Sequence, residues 1–255
     1  MLLRRDSLTW CAVAAVSTAL PSAAAAGKTP APGEHALDFA TVVRKRVRLR
    51  YLLWMPRPQA KPVRGWPLVI FLHGSGERGN DLSKVKVHGF PKAAAAGADL
   101  PFVLVAPQVP AGLAWDSDAL DSLRADLVAR LPVDPDRVLM TGLSMGGIGT
   151  WNYAVDFPDR LAGIAPVCGF GDSDRAARLA RLPIWAFHGA RDDAVPLAPD
   201  QEMVDAVRAA GGNPRFTVYP DVGHNAWDPA YADPQLVEWL LAQHRPRGIA
   251  STRRP

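Results

Sequence analysis

The chain has few cysteines, no long apolar run and no large excess of either charge. Its 255 residues include two cysteines, and Cys11 lies inside the N-terminal segment, residues 1–26, that is predicted below to be a cleaved export signal. Once that segment is removed, only Cys168 remains, which excludes an internal disulfide in the mature chain. A single thiol after a predicted buried strand is typical of a small buried hydrophobic group rather than of a nucleophile.

The charge balance and the motif content exclude further classes of function. The formal net charge is +4, and the basic residues are scattered or terminal, so no nucleic-acid surface is predicted. The densest basic cluster, at residues 44–50, alternates with apolar residues, as on the solvated face of an edge strand. No dinucleotide fingerprint follows the first buried strand, and no residues have metal-site spacing. We therefore expect neither a cofactor nor a resident metal.

Residues 1–26 have the features of an export signal. Arg4 and Arg5 supply a positive start, residues 8–20 an apolar stretch, and residues 23–26 small cleavage-site residues. The paired arginines indicate the twin-arginine route, although a Sec signal also begins with positive charge. The apolar stretch is short for a membrane span. We therefore expect a periplasmic or secreted protein with no stable membrane insertion, and an uncleaved N-terminal anchor is the alternative.

The rest of the sequence predicts one α/β domain at residues 36–245, with a flexible lead at 27–35 and a disordered tail at 246–255. Buried-strand runs alternate with helical stripes, which predicts a mainly parallel central sheet with helices on both faces. An antiparallel strand pair is predicted at residues 37–43 and 47–54. The other predicted strands are 68–72, 102–106, 138–140, 161–167, 184–187 and 216–219. The predicted helices are 84–96, 120–131, a helix ending near 157, 174–182, 199–210 and 236–243.

Residues 138–151 combine a strand, a sharp turn and a helix. The turn reads G-L-S-M-G at residues 142–146, the pattern G-x-S-x-G. In this context the serine adopts a strained backbone conformation, and its hydroxyl lies above the sheet edge. The N–H of Met145 is at the N-terminus of the new helix, where an anion is favoured. Ser144 is therefore the candidate nucleophile, and an incidental serine in a Gly-rich turn is the alternative.

Candidate partners for Ser144 follow other predicted strands. His224 comes after the strand at 216–219, and Asp192 and Asp193 come after the strand at 184–187. The carboxyl ends of parallel strands meet at one crevice. A serine hydroxyl needs a base such as histidine, and the imidazole needs a carboxylate that fixes its tautomer. We predict His224 as the base, and the residues leave Asp192 and Asp193 as alternatives for the acid.

Residues from about 66 to 244 resemble a secreted esterase of the α/β-hydrolase superfamily. The chain is similar to the dienelactone-hydrolase-like phospholipase/carboxylesterase group and to the polyhydroxybutyrate-depolymerase or feruloyl-esterase-like group. The matching segments are F-L-H-G-S-G-E-R-G at 71–79, A-P-Q at 106–108, G-L-S-M-G-G at 142–147, H-G-A-R-D-D-A-V-P at 188–196 and G-H-N-A-W at 223–227. Val109-Pro110 stands where relatives often carry a cysteine, so no disulfide is carried over.

The resemblance implies a serine esterase with a Ser-His-Asp triad. It assigns the acid to Asp192, the first Asp of H-G-x-x-D-x-x-V-P. It also implies that the N–H groups of Ser75 and Met145 form the oxyanion hole. The expected substrate is a small-molecule or polymer-linked carboxylic ester. A prolyl-oligopeptidase-like serine peptidase and a non-catalytic binding protein are the alternatives.

Other residues around the predicted site receive supporting roles. Trp115 and Trp227 lie on loops at the active edge and are candidate walls of a substrate pocket, with plain packing as the alternative. His73 and His188 are expected to have structural roles. Glu77 and Arg78, in the G-S-G-E-R-G loop, are candidates for an ion pair that stiffens that loop, with a substrate role as the weaker alternative.

Overall fold

The computed structural model describes residue 41 and residues 45–57 and 62–245. The predicted export signal, the lead at 27–35 and the tail at 246–255 lie outside these residues. All the elements below belong to the compact unit that begins at Arg46.

In the described residues, seven strands form one sheet in the order β1-β3-β2-β4-β5-β6-β7. β1 runs antiparallel to β3, and the other neighbouring strands are parallel. The mainly parallel sheet predicted from the sequence is therefore confirmed. The strands are β1 (Arg50–Trp54), β2 (Trp66–Leu72), β3 (Val103–Gln108), β4 (Val133–Leu143), β5 (Gly163–Val167), β6 (Trp185–Gly189) and β7 (Arg215–Tyr219).

Six α-helices and four short 3₁₀ segments connect the strands in the described part of the chain. The helices are α1 (Gly89–Ala95), α2 (Ser117–Arg130), α3 (Met145–Asp156), α4 (Leu197–Ala209), α5 (Trp227–Ala232) and α6 (Pro234–Ala242). The 3₁₀ segments are Ser75–Glu77, Leu82–Lys86, Pro158–Arg160 and Ser173–Leu179.

The sheet separates two apolar clusters, one on each face. Along β2 the side chains alternate: Leu68 and Ile70 face the cluster covered by α2, α3 and α4. Val69 and Phe71 face the cluster covered by α1, α5 and α6. A strand covered on both faces loses its polar side, since neither face meets water. The uninterrupted apolar run of β2 therefore follows from its central place in the sheet.

The predicted strand at residues 47–54 is wrong in its extent. Residues 46–49 are not in a strand, and β1 begins at Arg50. Its partner is β3, with Leu52 opposite Ala106; of the predicted partner, residues 37–43, only residue 41 is described, and it is outside any strand. An alternating pattern shows that one face is buried but does not identify the neighbouring strand, which only the assembled sheet decides.

The single helix predicted at residues 84–96 is interrupted. His88 is extended, and Gly89 begins α1 with a φ of +57°. A Cβ on Gly89 would lie 2.5 Å from the ring of Phe71, so the chain turns there and comes close to β2. Likewise, the helix predicted at residues 174–182 is a 3₁₀ segment at Ser173–Leu179. Helix α5 was not predicted, because its six residues are too few for a periodic signal.

Candidate active site

The turn between β4 and α3 is as sharp as its sequence predicts. Ser144 has φ 55° and ψ −120°, an unfavourable conformation for a residue with a side chain. Its N–H donates to the carbonyl of Val167, 2.9 Å away. A Cβ on Gly142 would lie 2.5 Å from the carbonyl oxygen of Gly146, and one on Gly146 would overlap the carbonyl oxygen of Leu72. Glycine at both positions lets the helix approach the sheet and hold Ser144 at its edge.

The structure brings Ser144, His224 and Asp192 together at the carboxyl end of the sheet. His224 lies in the loop between β7 and α5, and its Nε2 is 2.9 Å from Ser144 Oγ. Its Nδ1 is 2.8 Å from Asp192 Oδ2. The His224 side chain keeps 25% of its surface exposed, whereas that of Asp192 is fully buried. The imidazole can therefore reach solvent or substrate while its acidic partner stays dry.

Asp192 is held as a carboxylate by the loop that follows β6. Its Oδ1 accepts the N–H groups of Ala194, at 3.0 Å, and Val195, at 2.8 Å. Burial alone would raise the pKa of Asp192, but the hydrogen bonds from His224 and these two amides lower it below its ordinary value. An ionised Asp192 requires the proton of His224 on Nδ1, so Nε2 is free to accept from the hydroxyl of Ser144. Asp193 is exposed.

The two predicted oxyanion donors lie on adjoining segments. Met145 is the first residue of α3, and the Ser144 side chain does not cap that helix. Ser75 begins a 3₁₀ segment, and the preceding Gly74 is so close to the elbow that a Cβ there would lie 2.9 Å from Leu143 Cδ1. Both amides therefore belong to N-terminal turns, whose first N–H groups have no intrahelical partner. The role of Ser75 and Met145 stays a prediction.

His73 fixes the loop that carries Ser75. Its Nε2 accepts the N–H of Val109 at 3.0 Å, so its proton is on Nδ1, which lies 2.5 Å from the carbonyl oxygen of Gly74. Burial lowers the pKa of His73 and keeps the ring neutral. Both ring nitrogens are hydrogen-bonded to backbone groups, as expected for a histidine with a structural role.

Trp115 and Trp227 are both half-buried at the site, in different settings. The indole N–H of Trp115 donates to the carbonyl of His73 at 3.1 Å, and its side chain lies against Gly149 of α3. Trp227 begins α5 and meets His224 edge to face, with ring centroids 5.1 Å apart. Its Nε1 is buried and has no hydrogen-bond partner. Trp115 therefore supports the loop that carries His73, and Trp227 supports the loop that carries His224. Contact of either ring with a substrate stays a prediction.

The expected pairing of Glu77 with Arg78 is wrong. Within the described residues, Glu77 Oε1 faces His88 Nε2 at 3.9 Å, while Glu77 Oε2 and Arg78 Nε are buried without hydrogen-bond partners. Neighbouring side chains in a 3₁₀ turn point in different directions, so adjacency in sequence does not bring their charges together.

The sequence did not predict a series of buried hydrogen bonds that lies behind Asp192. His188, at the end of β6, places Nδ1 2.7 Å from Asp200 Oδ2 and Nε2 2.9 Å from the carbonyl oxygen of Val195. Trp151 donates its indole N–H to Asp200 Oδ1 at 3.0 Å. The available signal was Asp200 itself, because it falls on the apolar stripe of α4 that contains Met203 and Val207.

Cys168, His188 and Asp192 place ligand-type atoms within 4.8 Å of one another. Each of these atoms already has a partner in the protein. The thiol of Cys168 donates to the carbonyl of His224 at 3.2 Å, and Asp192 Oδ2 faces His224 Nδ1. His188 Nε2 faces Val195. The group is therefore explained as part of the hydrogen-bond network around His224.

The part of the chain that contains Ser144, Asp192 and His224 is similar to a known protein family. Residues 106–232 match the model of the dienelactone hydrolase family. The chain contains a dienelactone hydrolase family domain. That domain extends from β3 to the end of α5 and includes Ser144, Asp192 and His224, whereas Ser75 precedes it. The overall fold is the α/β-hydrolase fold, shared with esterases of known structure.

Individual relatives agree with this assignment. A protein of Methylorubrum extorquens, provisionally named carboxymethylenebutenolidase, is 35% identical over 46% of this chain and 45% of its own. A provisionally named esterase, NocK, of Nocardia uniformis is 32% identical over 70% of this chain and 56% of its own. The crystal structure of a thermostable esterase has a TM-score of 0.67 and 31% identity, covering 77% of this chain and 60% of its own. The chain thus spans about half the length of these curated relatives.

Among the residues that the structure describes, no helix is both long and apolar enough to cross a bilayer.

Proposed function

We propose that the protein hydrolyses carboxylic esters through a covalent acyl-enzyme. The observation that carries this proposal is the continuous contact from Ser144 Oγ to His224 Nε2, at 2.9 Å, and from His224 Nδ1 to Asp192 Oδ2, at 2.8 Å. A hydroxyl, an imidazole and a buried carboxylate in this order are the parts needed to activate a serine. The dienelactone hydrolase family domain supports the same chemistry.

In the acylation step, Ser144 Oγ attacks the ester carbonyl carbon while His224 Nε2 accepts the hydroxyl proton. Asp192 stabilises the resulting imidazolium and holds its orientation. The carbonyl oxygen becomes an oxyanion and accepts the N–H groups of Met145 and Ser75. When the tetrahedral intermediate collapses, His224 gives its proton to the leaving alcohol. Ser144 then carries the acyl group as an ester.

Deacylation reverses these roles with water as the nucleophile. His224 Nε2 takes a proton from the water, whose oxygen attacks the acyl carbon, and the same two amides hold the second oxyanion. Collapse breaks the bond to Ser144 Oγ, which recovers its proton from His224, and a carboxylic acid is released. Fixed donors of this kind contribute about 10²- to 10³-fold in rate each.

The proposed substrate is a small-molecule or polymer-linked carboxylic ester. The half-buried rings of Trp115 and Trp227 lie beside the elbow and the His224 loop, which supports an apolar or aromatic group next to the reacting carbonyl. A panel of p-nitrophenyl esters of increasing acyl length and of aromatic acids would rank the acyl groups that the site accepts.

Replacing the nucleophile tests the proposal directly. We expect Ser144→Ala to abolish turnover of p-nitrophenyl butyrate and labelling by a fluorophosphonate, with little change in thermal unfolding. Ser122→Ala, which removes an exposed hydroxyl from α2, is the matched control and should behave like the wild type. Near-normal turnover by Ser144→Ala would refute the assignment. A wild-type protein that neither turns over esters nor labels would favour a binding role for the scaffold.

We also propose that the protein is exported, on the basis of the N-terminal sequence features. Expression of the full chain in a bacterial host, followed by fractionation, should place a shortened product in the periplasm or the medium. Replacing Arg4 and Arg5 by lysine should stop this export if the twin-arginine route is used. A full-length product that stays with the cytoplasmic fraction would contradict export.

A further inference from the structure

A second histidine–carboxylate pair lies directly behind the proposed triad. The side chains of His188 and Asp200 are fully buried, and their Nδ1 and Oδ2 atoms are 2.7 Å apart. On its other side, His188 Nε2 lies 3.4 Å from Asp192 Oδ2, the same oxygen that faces His224. The esterase mechanism does not use this pair, although an isolated buried charge is costly and must be balanced nearby.

The hydrogen-bond partners determine where the protons of this pair lie. The carbonyl of Val195 can only accept, so His188 Nε2 carries a hydrogen. Asp200 Oδ1 accepts the indole N–H of Trp151, a contact that favours the ionised carboxylate, and Oδ2 faces His188 Nδ1. With carboxylates on both sides, the ring is most stable as an imidazolium with both nitrogens protonated.

The directions in which the pKa values of His188 and Asp200 are shifted agree with these proton positions. Burial alone would lower the pKa of His188, but the hydrogen bonds to Asp200 and Val195 and the two nearby carboxylates raise it. Burial raises the pKa of Asp200 to about 6, against the effect of His188. At pH 6.5, above the pKa of Asp200 and below the raised pKa of His188, Asp200 is mainly ionised and His188 mainly protonated.

We propose that His188, held as an imidazolium by Asp200, is a positioning residue for Asp192. Its N–H to the carbonyl of Val195 fixes the loop that carries Asp192, whose own Oδ1 is bound by the amide of the same Val195. Its positive charge lies beside the carboxylate oxygen that receives the N–H of His224. The inference rests on the proposed function, because it assigns Asp192 as the triad acid.

This arrangement has a consequence for His224. The His188 cation competes for the negative charge of Asp192 Oδ2, so Asp192 stabilises a protonated His224 less strongly than an isolated carboxylate would. The negative charge that Asp192 offers to His224 therefore depends on whether His188 is protonated. The titratable groups around His188 are Asp192, Asp200, His224 and Cys168. Burial raises the pKa of Cys168 to about 12, so its thiol adds no charge.

Asp200→Asn removes the charges of this pair while conserving its hydrogen bonds. The amide oxygen can accept from Trp151, and the amide nitrogen can donate to Nδ1 of a neutral His188 that still donates to Val195. Asp205→Asn is the matched control, since Asp205 lies on the same helix with its side chain 57% exposed and paired with Arg208. It makes the same replacement of a carboxylate by an amide on α4, away from the site.

The decisive measurement is an NMR titration of the histidine ring nitrogens, which needs no substrate. We expect the pKa of His224 to rise by about 0.5 to 1 in Asp200→Asn, because a nearby positive charge is lost, and to stay unchanged in Asp205→Asn. In parallel, the acidic limb of kcat/KM should move to higher pH in Asp200→Asn, with little change in KM. A packing defect alone would lower activity without moving this limb.

The wild-type protein gives a second readout that does not depend on the variant folding. At pH 6.5, the ordinary histidine pKa, both ring nitrogens of His188 should be mainly protonated, because its pKa is raised. A neutral His188 there, or an unchanged His224 pKa in a folded Asp200→Asn protein, would overturn the proposal. Absence of ester turnover in the wild type, with the His224 shift intact, would overturn the proposed function alone.

Discussion

The edge of the Trp227 indole meets the imidazole of His224, with ring planes at 84° and centroids 5.1 Å apart. On its other side Trp227 contacts the ring of His88, at a centroid distance of 5.3 Å. Because Trp227 is the first residue of α5, this contact ties the His224 loop to a helix. The imidazole is thus held by an aromatic side chain in addition to its two hydrogen bonds.

Removing the Trp227 ring should misalign His224. We expect Trp227→Ala to lower kcat by roughly 3- to 10-fold, the worth of one edge-to-face aromatic contact, and Trp227→Phe to retain most of it. Steady-state kinetics with p-nitrophenyl butyrate would measure both. A raised KM with unchanged kcat would instead identify Trp227 as a wall of the substrate pocket.

The two neighbouring aspartates should differ sharply in their effect on turnover. Asp192 is buried and faces His224, whereas Asp193 is exposed. We expect Asp192→Asn to reduce kcat by about 10⁴-fold, because the amide favours the wrong tautomer of His224. Asp193→Asn, the matched control, should remain close to the wild type. Equal losses in the two variants would contradict the assignment of Asp192.

The elbow should not tolerate a side chain at residue 146. A Cβ on Gly146 would overlap the carbonyl oxygen of Leu72, whereas one on Gly76 would meet nothing within 4 Å. We expect Gly146→Ala to lower the free energy of unfolding by roughly 1–3 kcal/mol, as for other overpacked core positions, and Gly76→Ala to change it little. Urea denaturation would measure both. Equal midpoints would show that α3 can move away from β2.

Cys168 should be unreactive in the folded protein. It is 0% exposed, and burial raises the pKa of its thiol to about 12, so the reactive thiolate is nearly absent. We expect no iodoacetamide on the Cys168 peptide under native conditions and complete modification in denaturant, as measured by mass spectrometry. Rapid native labelling would mean that the loop carrying His224, which covers the thiol, opens frequently.

The His188–Asp200 pair should make stability depend on pH. The pKa of His188 is raised from 6.5 in the folded state, so its stabilisation is fully present below about pH 6.5 and is lost as pH rises through the folded pKa. We expect the difference in free energy of unfolding between the wild type and Asp200→Asn to shrink over that rise. Urea denaturation from about pH 6.5 to 9, where Asp200 with its pKa of about 6 is mainly ionised, would test it. A difference independent of pH would contradict a proton held by this pair.

Several features could be predicted because they are local in the chain. The G-x-S-x-G turn is confirmed by the positive φ of Ser144, since a strand, a turn and a helix within fifteen residues specify their own geometry. The buried strands β2, β3, β5 and β6 and the predicted segment 138–140 of β4 are confirmed, because coverage on both faces leaves an apolar run. The order Ser144, Asp192, His224 also lies in the sequence, and their convergence follows from parallel strands ending at one edge.

Other features depend on neighbours that the sequence does not bring together. The pairing of β1 with β3 and the turn at Gly89 are decided by which surfaces remain free once the sheet forms. Asp192 and Asp193 are the same residue type at adjacent positions. Only the path of the loop after β6 turns Asp192, and not Asp193, towards His224. The contact of His188 with Asp200 and Asp192 has the same origin. Burial and proton sharing arise between groups that meet only in three dimensions, so the tertiary structure alone decided them.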